Sequence, residues 1–268
     1  MIGVAILAEL LWLVGHAIFS GPRVFAATPR ALAYQAPTAP TGGDVLADLA
    51  AAAGAQPALT RTARTTYAYV KTVTWQLDPQ LPGRTGPSRV LPTLSEKWTA
   101  PDGAGRVITV TATRKGSSTA DTAVPAGEAL PALSTNQAML SRSLALGAPA
   151  TDGAARRLIG FAQLASRRPI SPRVESAILR LLARIPGLTD AGTVTDRDGR
   201  PGIAVSLALD TGVDTDYTLI FDERTGMLLG EEETLIGSSK RFNVRPGSVI
   251  AYTTLLTSGY VANTTTRP

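Results

Sequence analysis

The sequence predicts an α+β fold: a curved antiparallel β-sheet with helices packed on one face, standing behind an N-terminal transmembrane helix. Three observations carry this. The chain opens on a long apolar run, a helical period is confined to its middle, and alternating runs separated by Asp/Gly turns flank that middle on both sides. Strands, then helices, then strands again segregate the helices to one side of a single sheet.

From Met1 to Phe19 the chain reads MIGVAILAELLWLVGHAIF, broken only by Glu9 and His16, about the length that crosses a hydrocarbon core of ~30 Å. Glu9 costs about 2–3 kcal/mol on insertion scales, which the surrounding leucines offset. Val24-Phe25-Ala26 would suit a signal peptidase, but the positive n-region is missing, so residues 1–20 are expected to stay as an anchor. Residues 21–43 carry Pro22, Pro29, Pro37, Pro40 and the Gly42-Gly43 pair, and read as an extended linker. The body is expected over 44–262, with a flexible tail at 263–268.

Asp44 caps a short helix through Ala53, with Val45, Leu46 and Leu49 on one side and Gly54 ending it. In Tyr67 to Leu77 the alternate positions Tyr67, Tyr69, Val73, Trp75 and Leu77 are apolar, Lys71 excepted, which predicts a half-buried strand. After the Pro/Gly-rich stretch 79–92, Glu96-Lys97-Trp98 leads through Asp102-Gly103-Ala104-Gly105 to Val107–Thr113, an antiparallel hairpin. Trp75 and Trp98 should be largely shielded, because large aromatic side chains dominate burial where so few are present.

The middle changes period. Ser134–Leu146 is a weak helical pattern, and Asp152–Ser166 a stronger one with Leu158, Ile159, Phe161, Ala162 and Ala165 as its apolar side. In Arg173–Ile185, Val174, Ile178, Leu181, Leu182 and Ile185 form one stripe, opened near Pro172 and stopped by Pro186-Gly187. That stripe should face the sheet. Arg173, Arg180 and Arg184 fall on an adjoining stripe that the sheet cannot cover without burying unpaired charge, so they should point outward. Strands resume at Thr189–Thr195, Ile203–Leu209, Asp216–Phe221, Met227–Ile236 and Ser248–Thr257, joined by Asp/Gly turns in the manner of an antiparallel meander.

The 268 residues are 44% hydrophobic, 18% charged and 5% aromatic, an ordinary globular balance. Cysteine is absent, which excludes disulfides, thiolate metal sites and a Cys nucleophile. The net charge of +5 favours anionic surroundings. Much of it is local: between residues 142 and 184 eight arginines face only Asp152 and Glu175. On a tethered protein Arg173, Arg180 and Arg184 become candidate contacts to an anionic membrane surface, each worth about 1 kcal/mol.

The search for chemistry returns little. His16 is the sole histidine and lies in the anchor, so neither a Ser-His-Asp triad nor a multi-histidine metal site can form. Walker, Gly-x-Ser-x-Gly and dinucleotide fingerprints are missing. Asp196-x-Asp198-Gly199 has the residues a hairpin turn requires and lacks the ligand spacing of a calcium loop. Glu231 and Glu233 share a strand face and could form an acid/base pair, but a solvated or cross-strand-paired strand edge is the better reading. No catalytic, cofactor or metal site is expected, and no basic-aromatic interleaving points to nucleic acid.

The succession Leu182-Ala183-Arg184-Ile185-Pro186-Gly187, Val194-Thr195-Asp196, Gly199-Arg200-Pro201-Gly202 and Leu219-Ile220-Phe221-Asp222, closing on Leu228-Leu229-Gly230-Glu231, resembles a family of membrane-anchored extracytoplasmic proteins of actinobacteria. Weaker similarity extends to Tyr69-Val70-Lys71, Glu96-x-Trp98 and the strand from Ser248 to Tyr252. The resemblance implies a layout similar to the open half-barrels of LolA, LppX and RseB, with the body outside the cytoplasm, and family members are often encoded beside sigma factor genes. Arg23 and Arg30 follow the anchor, and the positive-inside rule read literally would keep that side in the cytoplasm.

The expected function is thus a single-pass, membrane-anchored, non-enzymatic extracytoplasmic domain that binds or senses a lipid-like or envelope-derived ligand in an apolar cavity between sheet and helices. The alternative is a structural or regulatory domain with a filled core that recognises another envelope protein and is linked to sigma factor signalling.

Overall fold

The computed structural model describes residues 27–37, 39–59, 61–62, 64–77, 92–113, 116–127, 132–145, 153–210, 212–239 and 241–268. The expected anchor, 1–20, lies outside them. Among the described residues no helix is long and apolar enough to cross a membrane.

Helix α1 (Gly42–Gly54) precedes strands β1 (Tyr67–Gln76), β2 (Thr93–Thr99), β3 (Gly105–Thr113) and β4 (Gly116–Val124). Helices α2 (Gln137–Ala145), α3 (Gly153–Ala165) and α4 (Pro172–Leu182) follow, then strands β5 (Thr189–Thr195), β6 (Pro201–Asp210), β7 (Asp214–Phe221), β8 (Leu228–Leu235) and β9 (Val249–Val261). All nine strands form one open antiparallel sheet in the order β4-β3-β2-β1-β9-β8-β7-β6-β5. Its join is made by β9, which returns to pair with β1 and so ties the two meanders together.

The helices cover the β5–β9 half of the sheet. Ile203, Val205, Leu219 and Phe221 of one sheet face meet Leu158, Phe161, Ile178 and Leu182 in the main core, and Phe161 stacks on Phe221 at 6.3 Å between centroids. The stripe of α4 packs chiefly against α1 rather than directly on the sheet, a correction to the sequence expectation. The Ser176 hydroxyl donates to the Ala50 carbonyl at that crossing. Where α2 and α3 cross, a Cβ on Gly160 would stand 1.8 Å from the Leu144 carbonyl oxygen, so only glycine permits the approach.

Irregular segments cover the opposite face. Residues 27–37 form a strap: the Gln35 amide donates to the Thr193 carbonyl along β5, and Leu32 and Tyr34 pack on Ala204 and Ile220. The strap thereby covers backbone that an edge strand would otherwise leave open. The loop after β8 brings Phe242 and Val244 into one cluster with Trp75 and Tyr252, whose rings stack at 6.2 Å. Residues 263–268 lie on β1–β3, where Trp98 Nε1 donates to the Thr266 carbonyl and Arg267 forks onto Glu96 with two bonds of 2.7 Å. Trp75 and Trp98 are both buried.

Two sequence expectations are corrected here. Strand β1 is buried on both faces, since Ala68, Val70 and Thr72 are as covered as Tyr69 and Trp75. Strand β8 is no edge: it runs between β7 and β9, and Glu232 is 1% exposed. The exposed edge is β4, a strand whose small polar residues gave no apolar alternation to read and which was missed for that reason.

Candidate functional site

Three adjoining clefts form a groove where the helix layer ends and the sheet continues uncovered. Arg168, in the turn between α3 and α4, lines all three. The first, about 260 Å³, lies between that turn, β8 and β9, and includes Glu175, Arg200, Leu228, Leu255 and Leu256. The second, also about 260 Å³, adds Arg61, Leu133, Val174 and Tyr260, and the third is a small extension of about 50 Å³ toward Thr99 and Pro101. Each is open to solvent and smaller than the roughly 300–1,000 Å³ of a typical enclosed ligand pocket.

Local sequence places the groove's charged groups. Pro172 at the first helical position starts α4 and sets Glu175 in its first turn, where a carboxyl group suits the helix dipole. Glu175 also sits at i, i+3, i+4 and i+7 with Ile178, Leu179 and Leu182, so it goes into the core with them and is 2% exposed. Its Oε1 accepts from the Leu228 amide at 2.9 Å, while Oε2 has no hydrogen-bond partner. Burial pushes this carboxyl up to about 8, so it keeps its proton at neutral pH. Arg200 is held by the hairpin turn between β5 and β6, its Nε and Nη2 donating to Asp196 Oδ2 at 2.8 and 2.6 Å. Asp196 Oδ1 accepts the backbone amides of Asp198 and Arg200, so the Asp196-x-Asp198-Gly199 motif is a self-satisfied turn. Burial, aided by the nearby Arg167, lowers Lys97 on β2.

In the glutamate run on β8, Glu232 is buried and Glu231 and Glu233 are half-buried. On the helix face the Tyr217 hydroxyl donates to Glu231, and Thr215 Oγ1 donates to Glu233 Oε1 at 2.9 Å. Burial raises both carboxyls. Neither lines any of the three clefts, and among the described residues no group of three potential metal ligands occurs. On the other face Glu232 pairs with Arg197, whose guanidinium stands over the Tyr252 ring at 4.2 Å and donates to the Arg30 carbonyl of the strap. Glu231 and Glu233 are thus paired across strands, one of the two states expected from sequence, but on an interior strand and not at an edge.

Arg173, Arg180 and Arg184 are exposed on the outer side of α4. Arg184 Nη1 donates to Gln137 Oε1 on α2 at 3.2 Å. The groove residues are a different set, and sequence reading missed Glu175, Arg61 and Tyr260 as site candidates. The spacing of Glu175 with Ile178, Leu179 and Leu182 was the available signal, a carboxyl on the apolar face of its helix. Arg61 and Tyr260 carry no local signal: Arg61 precedes β1, Tyr260 lies near the end of β9 opposite Ala68, and only the pairing of β1 with β9 brings the guanidinium over the Tyr260 ring, at 5.3 Å.

No protein-family model matches the chain, and no curated protein does. Among solved structures, the crystal structure of MucB in complex with MucA(peri) aligns with 83% of this chain and 56% of that one, at 15% identity and a TM-score of 0.31. The complex structure of Pseudomonas aeruginosa MucA/MucB gives 12% identity over 82% and 56%, with a TM-score of 0.30, and the crystal structure of MucB 16% over 85% and 60%, with 0.29. The chain thus spans less than two thirds of the length of these MucB chains. At these scores the likeness is partial and says nothing of function.

Proposed function

We propose that this protein is a non-enzymatic interaction domain of the cell envelope that takes a segment of another protein into the groove centred on Arg168. Residues 1–20 hold it to the membrane, and the body lies outside the cytoplasm. The observation that supports this reading is the packing between sheet and helices. A lipid-like ligand was expected there, yet the space is filled by Leu158, Phe161, Ile178, Leu219 and Phe221, all fully buried. What remains for a partner is the open groove at the end of the helix layer. Apolar walls from Leu228, Leu255 and Leu256 with basic groups from Arg61 and Arg168 suit an extended segment that is partly apolar and partly acidic.

The test is a photo-crosslinking residue in place of Thr257, an exposed position on β9 beside the groove, in the full chain in cells. One protein adduct that is lost with Arg168→Glu is expected. Crosslinks only to lipid, or one lipid per chain copurifying with the body, would overturn the reading and return the protein to ligand carriage.

A further inference from the structure

The first cleft is more specific than a general docking groove requires. Its wall contains a carboxyl group, Glu175, that is 2% exposed and uses one oxygen only, accepting from the Leu228 amide. The other, Oε2, has no hydrogen-bond partner. Buried polar side-chain atoms in folded proteins nearly always have a partner, and one left open at the wall of a cleft is a group held ready for something that enters.

The surrounding charges say what can enter. The ionisable side chains lining the cleft with Glu175 are Arg168 and Arg200. From β8 come Leu228 and Leu229, and from β9 the segment Leu255 to Ser258, none of them ionisable. Helix α1, packed against α4, turns Val45, Leu46, Leu49, Ala50 and Ala53 inward, and on α4 itself Arg173 faces solvent. Arg200 is already forked onto Asp196 and stands 3.8 Å from Asp198, so its charge is balanced within the turn, and a cationic ligand would meet the Arg168 guanidinium. An anionic one meets complementary charge and, from a carboxyl that has kept its proton, an O–H donor. Apolar walls at Ile170, Leu255 and Leu256 favour an anion carried among apolar groups over a small hydrated ion.

We propose that this cleft is a receptor for a carboxylate of the partner segment, an acidic side chain flanked by apolar ones, bound by the Glu175 carboxyl proton together with the Arg168 guanidinium group. This rests on the reading of the groove as a partner-binding site. Recognition is then tied to protonation: once Glu175 ionises, it presents a negative charge to a negative ligand and loses its donor. Glutamine at this position would keep an acceptor for the Leu228 amide and a donor for the ligand at every pH.

The experiment uses the full chain in detergent and a fluorescent capped peptide with one glutamate between leucines, followed by anisotropy at pH 7 and pH 9. The unlabelled glutamate peptide, its glutamine counterpart, inorganic phosphate and phosphatidylglycerol vesicles serve as competitors. The competent, protonated fraction of a carboxyl titrating at about 8 falls roughly tenfold between these pH values, and apparent affinity falls with it. A roughly tenfold loss is therefore expected for wild type, with little change for Glu175→Gln. Arg168→Ala should weaken binding at both pH values and leave the pH profile intact. Equal affinity at pH 7 and 9 for wild type, or equal binding of the glutamine peptide, would overturn the carboxylate receptor and leave the groove as a partner site. Stronger competition by phosphate or vesicles than by the unlabelled glutamate peptide would overturn the peptide source. Failure of the glutamate peptide to bind at either pH overturns the receptor, and if the Thr257 crosslink is also absent it removes the partner-binding reading as well.

Discussion

Replacing Glu175 by glutamine should remove a pH dependence of stability that the wild-type fold carries in one buried group. Desolvation raises this carboxyl from 4.5 to about 8 in the folded state. Between those values the unfolded chain releases the proton while the folded chain retains it, so stability falls as pH rises through the window and levels off above it. Each pH unit is worth about 1.4 kcal/mol, so the window amounts to at most ~5 kcal/mol, a large share of a typical domain stability of about 5–15 kcal/mol. The group is 2% exposed, so solvent screening removes little of this. Glu175→Gln keeps the acceptor for the Leu228 amide and cannot ionise. Urea unfolding at pH 5, 7 and 9 should find the two proteins similar at pH 5 and the variant more stable by several kcal/mol at pH 9. Glu231, Glu232 and Glu233 are also raised, but they are common to both proteins and cancel in the difference. Parallel pH profiles for wild type and variant would refute the reasoning. Glu175→Leu is the control: it strands the buried Leu228 amide at a cost of about 1–3 kcal/mol whatever the pH.

Trp98→Ala should cost about 3–5 kcal/mol, because the ring is fully buried against Tyr69 and lies under Arg106 and Arg267; a loss below about 1 kcal/mol in chemical denaturation would show the face was misread. The fork from Arg267, helped by the Tyr69 hydroxyl, holds Glu96 down to about 2, so its contribution is fully present above pH 4.5 and fades as pH falls toward 2. Acid unfolding of Glu96→Gln should lack that component. Gly192→Ala should release the strap, since φ there is +88° and the added Cβ would stand 2.0 Å from the Gln35 carbonyl oxygen; tryptic cleavage after Arg30 at an unchanged rate would count against it. The double change Arg180→Glu, Arg184→Glu should leave folding nearly intact and weaken binding to anionic vesicles in a salt-dependent way. Equal vesicle binding at low salt would leave these arginines as ordinary solvated surface.

Apart from β4, the sequence by itself determined the order of the elements and the period of each. The helical stripe of α4, the alternation in β1 and β6 and the Asp/Gly turns are local signals, because a residue's side-chain direction repeats with its own backbone geometry. The same argument put Arg173, Arg180 and Arg184 outside and Trp75 and Trp98 inside. Strand β4 escaped because neither of its faces is covered, and without burial there is no pattern. What only the tertiary structure decided is which faces are covered twice and which residues meet. The β1–β9 pairing turned β8 from an apparent edge into an interior strand, and the strap and residues 263–268 closed a face that local alternation left to solvent. The groove has the same origin. Arg61, Arg168 with Glu175, Arg200 and Tyr260 come from four separate stretches of chain, and their meeting depends on long-range closure of the sheet, which no period of two or of 3.6 residues encodes.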